Sequence, residues 1–159
     1  MDVMILPKGG NFVVQDLKNR VIYVAKKKDF KGMRYTLLDA SNYDLYTLLQ
    51  LEEGRKPRFK IVLRDETFLE MQCLSLFLDP SIECEGKGEA KHMKFALKSK
   101  DRRNFDIVKN GKSIGTITTK TLISGDLSYD LTIDDADFDD YIPLFAVALE
   151  RAFGEYNRE

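Results

Sequence analysis

Between Asp2 and Asp134 the apolar positions come in short runs rich in Val, Ile, Leu, Phe, Tyr and Thr, punctuated by turn residues every eight to twelve positions. That pattern predicts an all-β meander, and no long helical period interrupts it. The clearest punctuation is Lys109-Asn110-Gly111-Lys112. Asn and Gly both tolerate positive φ, so the pair predicts a two-residue hairpin turn between alternating strands. Lys18-Asn19-Arg20 and Ala40-Ser41-Asn42 are weaker versions of the same signal.

The pattern also repeats. Phe12-x-Val14, Phe59-x-Ile61 and Phe105-x-Ile107 fall 47 and 46 residues apart. Each is followed nine residues on by an apolar residue and three further by another: Val21 and Val24, Phe68 and Met71, Ile114 and Ile117. Tyr35-x-Leu37-x-Asp39 is echoed by Tyr129-x-Leu131-x-x-Asp134. A fixed spacing of this kind predicts three similar β units, although amphipathic strands also match one another by chance. Units one and two supply four strands each, and the third supplies three.

The fourth element of the third unit reads as a helix, over about 140–156. Asp140 is placed to cap its first turn, and Pro143 is tolerated there because that N–H has no intrahelical partner. Ile142, Leu144, Phe145, Val147, Leu149 and Phe153 cover nearly every side, with Glu150 and Arg151 the only charges from Tyr141 to Phe153. A helix apolar all round is a buried helix. With Val3 to Leu6 as a further strand, the chain has about twelve, over about 2–134, and a closed sheet of that size has an interior too wide for its own side chains. The pattern therefore predicts one domain over 1–159, a mainly β, closed antiparallel barrel of about twelve strands around a central hydrophobic C-terminal helix. The competing arrangement is an open sandwich with the helix on one face.

The stretch from Phe105 to Lys120 with its Asn-Gly turn, Gly125-Asp-Leu-Ser-Tyr-Asp-Leu-Thr-Ile133, the acidic run and the apolar helix together resemble the LURP-one-related family. Upstream, Tyr23-Val-Ala-Lys-Lys-Lys28 and Tyr35-Thr-Leu-Leu-Asp39 extend the resemblance over nearly the whole chain. That family is grouped with the Tubby C-terminal domain and the phospholipid scramblases, so the resemblance implies the same helix-threaded barrel. It also implies a tie to phospholipids, since Tubby domains bind phosphoinositides and scramblases act on phospholipids with calcium. No catalytic signature comes with it, and no phosphoinositide-binding residue carries over.

Composition narrows the chemistry. Hydrophobic residues are 43% and charged residues 32% of the 159, and the formal net charge is −1. Such a chain builds a core, and any electrostatic partner must meet a local patch. The amino-terminal stretch lacks the basic segment and long apolar run of a signal peptide, and Cys73 and Cys84 read as buried reduced thiols, which fits a cytosolic setting. The longest uncharged apolar stretch, Tyr141 to Leu149, is about half of the ~20 residues that span a bilayer.

Two charged regions stand out. Lys26, Lys27, Lys28, Lys31 and Arg34 lie in a stretch with one acid, Asp29, and Arg102 and Arg103 belong to a second basic cluster. Such clusters attract anionic headgroups, although a solvated strand face has the same composition. Tyr23, Phe30 and Phe105 interleave the bases but alternate as core residues do, so nucleic acid is not expected. The acidic region runs from Asp126 to Asp140, where Asp135-x-Asp137-x-Asp139 imitates the first ligand positions of a calcium loop. Asp140 stands where that loop needs Gly, and Ala146 where it needs Glu. Scramblases resemble this chain in having an Asp-rich segment before the terminal helix, which implies weak calcium binding; otherwise no cofactor is expected. His92 has no oriented partner, and Gly86-Lys87-Gly88 reads as a hairpin loop rather than a phosphate cradle. The leading expectation is a non-catalytic, cytosolic module that binds anionic ligands such as phospholipid headgroups at the membrane surface. The alternative is an interaction or regulatory barrel that binds a protein partner.

Overall fold

The computed structural model describes residues 1–29 and 33–158. Lys31 and Phe30 lie outside the described residues. The chain opens with β1 (Asp2–Lys8) and continues through β2 (Asn11–Gln15), β3 (Val21–Lys27), β4 (Arg34–Asp39) and β5 (Asp44–Glu52). β6 (Arg58–Leu63), β7 (Glu66–Ser75), β8 (Ser81–Gly86) and β9 (Lys94–Ser99) form the second unit. β10 (Asn104–Lys109), β11 (Lys112–Thr121), β12 (Leu127–Ile133) and the helix α1 (Pro143–Asn157) form the third. Each strand pairs antiparallel with the next, and β1 closes on β12 with Ile5 opposite Tyr129, so the sheet is a closed barrel. The open sandwich is excluded by that last pairing.

The repeat is real and its register is instructive. Phe12, Phe59 and Phe105 sit on β2, β6 and β10, four strands apart, and all three are buried. In each of these hairpins the register slips at the same place, after Val14, Ile61 and Ile107. Such a bulge bends the strand and tightens the twist, which a closing sheet needs. The residues passed over are Ile22, Phe68 and Ile114, and the partners of the three Phe are Ala25, Met71 and Ile117. The first unit therefore corresponds through Ile22 and Ala25, not through Val21 and Val24. Its connection (residues 16–20) is longer than the two-residue turns of the other units, which moves every later position along by one. Val21 is exposed as a consequence. At the Asn110-Gly111 turn φ is 49° and 83°, the two positive angles that a primed hairpin turn requires.

The helix fills the barrel. Leu144, Phe145, Ala146, Val147, Ala148, Leu149 and Phe153 are each at most 1% exposed, and Phe145 and Phe153 meet the wall at Phe95 and Phe105 with ring centroids 5.2 and 5.3 Å apart. Each such large side chain contributes about 1.5–3 kcal/mol of burial, which makes the helix integral to the fold. Pro143 occupies the first turn as expected, but Asp140 does not cap it. The residue at the cap is Ile142, with no side-chain hydrogen bond, and Asp140 Oδ1 instead accepts from the Tyr23 hydroxyl. Near the other end Gly154 leaves room for the Glu150 carboxylate, which folds back to receive Arg158 Nη2 at 2.8 Å; a Cβ there would push that side chain aside.

Candidate functional site

Because the strands alternate in direction, their connections form two rims. The carboxyl rim, where α1 ends, collects the β1–β2, β3–β4, β5–β6, β7–β8, β9–β10 and β11–β12 turns. The amino rim, where α1 begins, collects the other connections and the segment 134–142. Among the described residues the carboxyl rim has an excess of bases, with Lys8, Lys27, Lys28, Arg34, Arg55 and Lys56 on its turns and strand ends. The amino rim has an excess of acids, led by Asp39, Asp44, Asp134, Asp135, Asp137 and Asp140.

Lys26, Lys27, Lys28 and Arg34 are brought together by the β3–β4 pairing. Lys26 stands opposite Thr36, Lys27 opposite Tyr35, and the Lys28 amide donates to the Arg34 carbonyl at 2.9 Å. All four side chains are exposed, and none forms an ion pair with a described residue. Asp29 turns its carboxylate to its own loop, accepting from the Met33 amide at 2.9 Å. The Lys27 amide donates to Asn11 Oδ1 at 2.9 Å, tying the β1–β2 turn, and so Lys8, to the same edge. Register adds one base that spacing along the chain conceals: Lys60 and Arg34 both stand opposite Leu49, on the same row of the wall. Only strand pairing links residues that far apart.

Arg102 and Arg103 lie on the same rim but across it, on the β9–β10 turn, and the structure puts most of their donors to another use. Arg102 Nε donates to Asn157 Oδ1 at 2.9 Å and Nη2 to the Tyr156 carbonyl at 3.3 Å, while Arg103 Nη1 donates to the Asn157 carbonyl at 3.1 Å. Asn157 Nδ2 answers by donating to the Arg102 carbonyl at 2.8 Å. These contacts satisfy helix-end carbonyls and place positive charge at the negative end of the helix dipole. The Arg102 guanidinium also lies over the rings of Phe77 and Tyr156, 5.4 and 5.5 Å from their centroids. Asp101 holds the turn from below, accepting from the Arg103 and Asn104 amides at 2.9 and 2.7 Å. Those hydrogen bonds keep its carboxyl well below the usual Asp range.

The acidic run is used piecemeal. Asp135 Oδ1 lies 2.6 Å from the Met1 amino group, Asp139 Oδ2 accepts from the Tyr141 hydroxyl at 3.2 Å, and Asp140 accepts from Tyr23. No three acidic, His or Cys side chains among the described residues are grouped to hold a metal ion, so Asp135, Asp137 and Asp139 are not brought together as ligands. The aromatics near the bases are occupied too: Tyr23 packs on Phe138 and Phe105 on Phe153. His92 is exposed on the amino rim, and Cys73 and Cys84 are free and buried. Burial pushes the Cys73 thiol up to about 11 and the Cys84 thiol higher still, so both stay protonated at neutral pH. A short 3-10 turn, Gly88–Ala90, follows Lys87 in the β8–β9 connection. Depressions in the outer wall are lined by mixed charges, such as Arg58, Glu70, Glu83, Glu85 and Lys94, and present no field of one sign.

No helix is long and apolar enough to cross a membrane among the described residues. A family model described as LURP-one-related matches residues 2–149, all twelve strands of the barrel and about half of the helix. No curated protein and no solved structure is significantly similar to the chain.

Proposed function

The chain belongs to the LURP-one-related family, and on that footing we propose that it is a non-catalytic binding module for anionic phospholipid headgroups at a membrane surface. The observation that carries the reading is the group Lys26, Lys27, Lys28 and Arg34, exposed together at the carboxyl rim without an acidic partner among the described residues. Lysines without a partner give up no ion pair when they meet a phosphate, and each contributes about 1 kcal/mol near an anionic surface. Arg102 and Arg103 supply field from across the rim while their hydrogen bonds hold the helix. No residue is assigned to covalent chemistry. Peripheral attachment of a cytosolic protein follows from this reading, and calcium has no part in it.

The test is co-sedimentation of the purified protein with neutral and with phosphatidylserine-containing vesicles, at low and physiological salt, with and without calcium. The reading expects binding to anionic vesicles alone, weakened by salt and indifferent to calcium; equal binding to neutral vesicles contradicts it. A second reading, a protein partner, is favoured by Leu17 and Tyr43, 74% and 70% exposed on neighbouring turns of the amino rim. Capture of a partner that survives high salt and is lost with Tyr43→Ser supports that one.

A further inference from the structure

The carboxyl rim carries a second feature that the basic cluster does not account for. Phe77 and Leu78 at the β7–β8 turn are 63% and 82% exposed, and Ile123 at the β11–β12 turn is fully exposed. Between these two turns around the rim lies the β9–β10 turn with Lys100, Arg102 and Arg103. Bulges in β5 and β7 turn Leu51 and Leu74 outward close to the same rim, 42% and 43% exposed. Single exposed apolar side chains need no explanation, and Leu17, Val21 and Tyr43 are exposed at the other rim; Phe77, Leu78 and Ile123 differ in flanking a basic turn and in lying on turns that are held in place. The Ser75 hydroxyl donates to the Leu78 carbonyl, Asp79 is paired with Lys100 at 2.9 Å, and the Phe77 ring stands edge-on to Tyr156 with centroids 5.2 Å apart. The β11–β12 turn is closed by the Leu122 amide donating to Asp126 and the Gly125 amide to Leu122. Tips ordered in this way are presented at little entropic cost.

We propose that the barrel stands end-on against an anionic bilayer, the carboxyl rim down, with Leu78 and Ile123 inserted among the acyl chains and the basic turns at headgroup level. The occupant is chosen by charge. The amino rim also exposes Leu17 and Tyr43, but its acidic excess repels an anionic surface. The wall mixes signs through Lys60, Glu70, Glu83 and Asp106 and offers neither field nor apolar band. Apolar tips framed by bases match the interface, where buried chain and headgroup attraction add. This inference rests on the phospholipid reading above and adds to it an orientation and an apolar anchor.

The chain contains no Trp, so Leu78→Trp, Ile123→Trp and Leu17→Trp each introduce one fluorophore at an exposed position. Each variant is mixed with phosphatidylserine–phosphatidylcholine vesicles whose acyl chains are brominated, and co-sedimentation is measured on the same samples. The proposal expects quenching of Leu78→Trp and Ile123→Trp but not of Leu17→Trp. It also expects the double variant Leu78→Ser, Ile123→Ser to partition about tenfold less, with an unchanged thermal midpoint. Sedimentation with neither carboxyl-rim variant quenched, or with Leu17→Trp quenched instead, overturns the orientation and leaves headgroup binding standing. Absence of sedimentation overturns both.

Discussion

The two rims of this barrel solve the problem of a helix end in opposite ways. At the amino rim the helix begins inside an aromatic cluster: Tyr141 is 2% exposed and packs its ring against Tyr46, Phe68 and Phe95. The acids around it lie near the positive end of the helix dipole, and several have hydrogen-bond or ionic partners within the chain. At the carboxyl rim the helix ends in a polar latch, Arg102, Arg103 and Asn157, beside Phe77 and Tyr156. Dipole complementarity explains these arginines and much of the acidic run. It does not explain Lys26, Lys27, Lys28 and Arg34, which sit across the rim from the latch, or the exposure of Leu78 and Ile123. Charges in such a fold therefore divide into two kinds: those with partners inside the chain serve the barrel, and those without are available to a ligand.

The contrast between the rims is disrupted most severely at the amino end. Tyr141→Ala removes the centre of the aromatic cluster and is expected to cost about 3–5 kcal/mol, read as a lowered midpoint in chemical denaturation. At the carboxyl rim Arg102→Ala leaves the Asn157 side chain and the Tyr156 carbonyl without donors. The expected cost is about 1–3 kcal/mol, with faster amide exchange confined to the last helical turn. A loss there as large as that of Tyr141→Ala would erase the distinction between a packed end and a latched one.

Asp101 gives a smaller and pH-dependent effect. Its carboxyl is held below its ordinary value of 3.8 chiefly by the backbone amides of Asn104 and Arg103. A depressed folded-state pKa means that the contribution is complete above 3.8 and is lost as pH falls below it toward the folded value. Asp101→Asn is expected to lower stability by about 1 kcal/mol at neutral pH and to flatten the acid limb of the stability profile. An unchanged acid limb would show that the turn does not depend on the charge.

How far the chain could be read follows from what each feature depends on. Phe12, Phe59 and Phe105 were legible because each holds the same place in a hairpin, and the apolar helix because its own composition demands a buried site. Val21 and Val24 misled because a longer β2–β3 connection shifts the register without changing composition. Asp140 has the composition of a cap, yet tertiary packing brings Tyr23 to it instead. The bases of the β3–β4 hairpin were legible as a local run. Lys60 was not, since only strand pairing aligns it, and the latch role of Arg102 and Arg103 depends on a helix end some fifty residues away. Leu78 and Ile123 were invisible for a plainer reason: they end the apolar runs Leu76-Phe77-Leu78 and Leu122-Ile123, and in a chain rich in strands such a run reads as core.

The smallest stability effect belongs to the residues with the most to do in the proposed function. Lys26→Glu, Lys27→Glu and Lys28→Glu combined change exposed side chains that make no ion pair with a described residue, so the thermal midpoint is expected to stay unchanged. The most direct measurement is the partitioning of this triple variant, beside the unaltered protein, onto phosphatidylserine-containing vesicles at physiological salt. The account predicts that binding falls by a hundredfold or more, about 1 kcal/mol for each charge lost and a further share for each reversed. Binding equal to that of the unaltered protein, in a variant that is still folded, would contradict it.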